Sequence, residues 1–63
     1  MNIKARRLAL GLTQQQVTDR AGLNLSQYQK IEAGTTHPER MTLKNAASLA
    51  RALEIPIEKL LED

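Results

Sequence analysis

Two short helical patterns meet at a single glycine, and this junction constrains the chain more than any other feature. The first pattern runs from Gln14 to Ala21 and the second from Leu25 to Ala33, with only Gly22, Leu23 and Asn24 between them. Thr13-Gln14-Gln15-Gln16 reads as a capping box, in which the Thr13 hydroxyl accepts from the Gln16 amide and the Gln16 side chain reaches back. Leu12 and Val17 are placed as the matching hydrophobic staple. Asn24 suits the N-cap of the second helix, with Ser26 as its competitor. Gly22 supplies a left-handed turn residue, Ala21 is small enough for the helices to approach, and Leu23 plugs the corner. Val17, Tyr28 and Ile31 then bury the inner faces, which leaves the first turn of the second helix projecting outward.

Three further helices complete an all-α reading. One runs from Asn2, its cap, to Leu10, with Gly11 ending it and Ile3, Arg7, Leu8 and Leu10 near one side. Another runs from Leu43 to Leu53 with Thr42 as cap, and Leu43, Ala46, Ala47, Leu49, Ala50 and Leu53 form its apolar stripe. A last, short one runs from Ile57 to Glu62 after the break at Ile55-Pro56, with Ile57, Leu60 and Leu61 apolar. Thr35 to Arg40 is expected to be loop, because Pro38 discourages helix at His37. Each helix is too short to persist alone, so stability has to come from mutual packing. With one Tyr, no Trp and no Phe, that packing relies on Leu, Ile, Val and Ala.

Composition narrows the function classes. The 63 residues suffice for one domain spanning 1–63. The absence of cysteine excludes disulfides and Cys-containing zinc sites, and one histidine cannot bind a metal alone. There is no Gly-rich phosphate loop and no His/Asp/Glu cluster with ligand spacing. So small a domain has little room for a preorganised pocket. The expectation is therefore a non-enzyme with no cofactor, no metal and no small-molecule ligand. No apolar run reaches the ~18 residues of a membrane span, and no signal peptide is visible, which points to a soluble cytoplasmic protein with no membrane partner. Charge is uneven: residues 1–31 carry five basic residues against one acidic, and residues 32–63 carry four against six. The first half suits a polyanion, although ordinary solvated surface accounts for an imbalance of this size equally well.

The residues carry a resemblance. Arg7-Leu8-Ala9-Leu10-Gly11-Leu12-Thr13-Gln14, Ala21-Gly22-Leu23, Tyr28-Gln29-Lys30-Ile31-Glu32-Ala33-Gly34, Pro38, Thr42-Leu43-Lys44 and Leu49-Ala50-Arg51-Ala52-Leu53 together resemble the phage repressor and Cro-like (XRE) helix-turn-helix regulators. The resemblance extends to Ile57-Glu58-Lys59-Leu60-Leu61 and covers almost the whole chain. It implies a compact five-helix, lambda-repressor-like domain whose second and third helices form the helix-turn-helix. It also implies sequence-specific binding of double-stranded DNA as a transcriptional regulator, in the manner of a repressor. The chain departs from the family pattern at Thr18, where a small alanine is usual and a buried hydroxyl needs a partner, and at Tyr28, whose hydroxyl is expected to reach solvent or a phosphate. Glu39 makes the loop less basic than in many relatives.

By matching position, Gln14 is expected to bind a phosphate and brace the reading helix. Leu25, Ser26, Gln27, Gln29 and Lys30 are the outward residues of that helix. Ser26 suits either base type, Gln29 adenine, Lys30 guanine, and Leu25 a thymine methyl, unless it packs the corner. Thr36, His37 and Arg40 are candidate phosphate contacts. Lys4, Arg6 and Lys44 read as solvated charge. Arg7 and Glu32 are implied to form a partly buried structural ion pair. A homodimer on two half-sites would raise specificity, with Ile57, Leu60 and Leu61 either its surface or the completion of the monomer core. Two rival readings are a protein-interaction module, such as an antitoxin-like regulator, and a helical bundle without function.

Overall fold

The computed structural model describes residues 1–62, and all of its regular structure is helical. Five α-helices follow in order: α1 (Ile3–Ala9), α2 (Gln14–Ala21), α3 (Leu25–Glu32), α4 (Leu43–Ala52) and α5 (Ile57–Leu60). None of them is long and apolar enough to cross a membrane. Helix starts follow the side chains that can cap them. Asn2, Asn24 and Thr42 accept from the amides of Ala5, Gln27 and Asn45 at 2.9, 2.7 and 3.1 Å. The capping box is complete: the Gln16 amide donates to Thr13 Oγ1 at 3.1 Å, and the Thr13 amide donates to Gln16 Oε1 at 2.8 Å.

Gly22 closes α2 at φ 69°. A Cβ there would meet nothing within 4 Å, so glycine is needed for its backbone and not for space. The turn brings α3 across α2, while α4 packs against α2 and α5. Val17, Tyr28, Leu49 and Leu53 are wholly enclosed, and Ile3, Ala21, Ile31, Ala46, Ala50, Ala52 and Leu60 complete the core. Leu60 thus belongs to the monomer interior, whereas Leu61 is exposed.

Several details differ from the sequence reading. Leu8 and Leu43 are exposed. Successive helical residues are about 100° apart, so Leu8 points away from the side on which Arg7 is buried. Leu43, at the first turn of α4, lies at the edge of a stripe centred on Ala46, Leu49 and Leu53. Pro38 does keep His37 extended, yet it opens a 3-10 turn over Pro38–Arg40, because proline fits the first position of a helix whose amide has no partner. The α5 helix is a single turn ending at Leu60. Thr18 is buried and satisfied locally: its hydroxyl donates to the Gln15 carbonyl at 2.8 Å and accepts from the Gln15 side chain at 3.2 Å. The Tyr28 hydroxyl does not reach the surface; it is buried and makes no hydrogen bond among the described residues. Arg6 is not loose surface charge either. It donates to the Leu53 and Glu54 carbonyls at 2.9 and 3.2 Å, closing the C-terminal end of α4.

One ion pair ties α1 to α3. Arg7 Nε and Nη2 donate to the two carboxylate oxygens of Glu32 at 3.1 and 2.9 Å, and Nη1 donates to the Leu12 carbonyl at 2.9 Å. Both side chains are almost fully buried, with 10% and 7% exposure. The bidentate guanidinium holds the Glu32 carboxyl below its ordinary value of 4.5, against the opposing effect of burial. Burial also pushes the Tyr28 phenol, which lies beside this carboxylate, above its ordinary range.

Arg7→Ala strands a buried carboxylate and is expected to cost about 3 kcal/mol. A core this small supplies only about 3–5 kcal/mol in total, so the variant should keep at most about 2 kcal/mol and its urea midpoint should fall sharply. Because the Glu32 carboxyl is depressed by folding, its contribution is full above pH 4.5 and disappears as the pH falls through its lower folded value. The melting temperature of the wild type should therefore drop in that acid window. Tyr28→Phe removes an unsatisfied buried hydroxyl and should raise stability by about 1 kcal/mol. A loss instead would mean that the hydroxyl is bonded to Glu32.

Candidate nucleic-acid interface

The outward face of α3 is polar and almost uncharged. Ser26, Gln29 and Lys30 are exposed, and Gln27 and Leu25 are half-buried. Glu32, the other charged residue of α3, is neutralised by Arg7, so Lys30 supplies the charge of this face.

The segment after α3 folds back on it. The Thr35 and Thr36 amides both donate to the Lys30 carbonyl, at 2.9 and 3.1 Å. This places Thr36 beside Ser26, Gln27 and Lys30. Asn24, Ser26, Gln27, Lys30 and Thr36 line one polar concavity. Asn24 was assigned only to capping in the sequence; its position at the head of α3 is what brings it to this rim. Leu25 lies outside that concavity, in an adjoining depression shared with Leu8, Leu12, Gln14 and Gln15.

Gln14 ties the start of α2 to α3. Its Nε2 donates to Glu32 Oε1 at 3.3 Å, and its Oε1 accepts from Gln29 Nε2 at 3.2 Å. The first residue of α2 is thereby fastened to two residues one turn apart in the C-terminal half of α3. The remaining two candidates lie outside the concavity of Ser26 and Lys30. His37 is half-buried, accepts from the Glu39 amide at 3.2 Å, and lines a groove of mixed polarity with Ile3, Glu32, Thr36, Leu60 and Glu62. Arg40 is exposed at the end of the 3-10 turn.

The ensemble offers hydrogen-bond donors and acceptors rather than reactive groups. No cluster of three or more His, Cys, Asp or Glu that could hold a metal occurs among the described residues. The bond between Gln14 and Gln29 had no signal in the sequence, because it depends on how α2 crosses α3.

The chain matches the family described as helix-turn-helix over residues 3–60, a span that begins with α1 and ends with α5. It is also 41% identical over 64 residues to the cryptic phage CTXphi transcriptional repressor RstR of Vibrio cholerae, across 95% of this chain and 54% of that protein. The chain spans about half the length of this curated relative. No solved structure matches it. On the family match, which takes in nearly all of the chain, it belongs to the helix-turn-helix family.

Proposed function

We propose that the chain binds double-stranded DNA as a cytoplasmic transcriptional regulator, in the manner of a repressor, with α3 in the major groove. The observation that carries this reading is the polar face of α3, where Ser26, Gln27 and Lys30 lie together with Thr36 beside them. Ser26 and Lys30 meet base edges, and Leu25 meets a thymine methyl from the neighbouring depression. Gln14, at the start of α2, meets a phosphate. Thr36 and Arg40 add backbone contacts, and His37 does so from the edge of the loop. The family and its repressor relative favour this reading over a protein-interaction module.

One α3 spans only a few base pairs, so two copies acting on half-sites one helical turn apart, roughly 34 Å, supply the missing specificity. With Leu60 committed to the core, the homodimer surface draws on Leu61 and the exposed part of Ile57.

Selection from random duplex DNA, followed by titration at two salt concentrations, tests the function. An enriched sequence and salt-dependent affinity are expected; the absence of both would sink the reading. Lys30→Ala should relax preference at one base pair by about 1–3 kcal/mol. An equal loss on every sequence, with a shallower salt dependence, would make Lys30 a phosphate contact instead. Gln14→Ala should weaken binding with little change in preference.

A further inference from the structure

We infer that Gln29 is a positioning residue for Gln14 rather than a reader of bases. This rests on the phosphate contact proposed for Gln14. A polar relay runs outward from the interior: Arg7 to Glu32, Glu32 to Gln14, Gln14 to Gln29. Its polarity is dictated at the buried end. A guanidinium has only donors and a carboxylate only acceptors. Glu32 therefore turns the nitrogen of the Gln14 amide toward itself, at 3.3 Å. The Gln14 oxygen is left facing outward, where it would repel a phosphate.

Gln29 removes that obstacle. Its Nε2 donates to the Gln14 oxygen at 3.2 Å and covers it. What Gln14 then offers is its second N–H, the group an anionic oxygen needs. The same bond commits one N–H of Gln29 within the protein, while its second N–H and its carbonyl stay open, so base preference has to be read separately from affinity. Gln29 is exposed and lies outside the core, so its removal leaves the helices packed.

Three proteins decide the matter: Gln29→Ala, Gln14→Ala and the double variant. Each is titrated on the selected duplex and on a duplex with one base pair changed, and each is mapped by phosphate ethylation interference. Gln29→Ala is expected to weaken binding about 3- to 10-fold on both duplexes, leaving their ratio unchanged. It should lose sensitivity at the same phosphate as Gln14→Ala, and the double variant should bind within about 2-fold of Gln14→Ala alone. Its thermal unfolding should match the wild type. A change in base preference, or losses that multiply in the double variant, would overturn the positioning role and make Gln29 a base contact. Unchanged binding by Gln14→Ala would remove the phosphate reading itself, and the inference with it.

Discussion

The bond between Arg7 and Glu32 sets the pose of everything presented to solvent on α3. It joins helices that do not adjoin in sequence, and it does so through two parallel contacts that fix orientation as well as distance. A hydrophobic contact at the same place would permit α3 to rotate or slide by fractions of a turn. The third arm of Arg7, on the Leu12 carbonyl, also anchors the segment that leads into the capping box of α2. Helices α1, α2 and α3 are thus referred to one guanidinium, and Gln14 extends that reference to the surface.

The other half of the fold is held from a different point. The end of α4 receives Arg6 from α1 and Arg20 from α2, the latter 3.6 Å from the Glu54 carboxylate. Cations at a helix C-terminus oppose the negative end of its dipole. Glu54 follows with φ 58°, a left-handed conformation in which glycine is the easier residue. The Ile55 amide still reaches back to the Ala50 carbonyl at 3.0 Å, so the last turn of α4 closes and the chain can reverse into α5. Leu60 then seals the interior.

What the sequence revealed, and what it did not, follows from the range of each interaction. Caps at Asn2, Thr13, Asn24 and Thr42 are local, needing residues three apart, and could be read directly. The outward set on α3 followed from phase relative to Tyr28 and Ile31. The fate of Leu8 and Leu43 depends on which neighbouring helix covers them, and a periodic pattern does not carry that information. Tyr28 was legible as a core residue, but the burial of its hydroxyl depends on how closely the Arg7–Glu32 pair fits around it. Arg6 looked like any surface arginine because its acceptors lie 47 and 48 residues away. The candidate site divides in the same way. Ser26, Gln27 and Lys30 were found by periodicity, while the approach of Thr36 and the bond between Gln14 and Gln29 belong to tertiary geometry.

The return of the chain onto the Lys30 carbonyl has a consequence for how such a protein can change. Backbone amides make that attachment, so the side chains at 35 and 36 are free to vary without loosening it. Thr36 stands beside Ser26 and Lys30 yet contributes nothing to the core. The surface around the third helix therefore has a replaceable margin: a substitution there alters the chemistry next to the helix while every residue of the helix, and the ion pair beneath it, stays as it was. The surface can change there in single steps, on a scaffold that is not asked to refold.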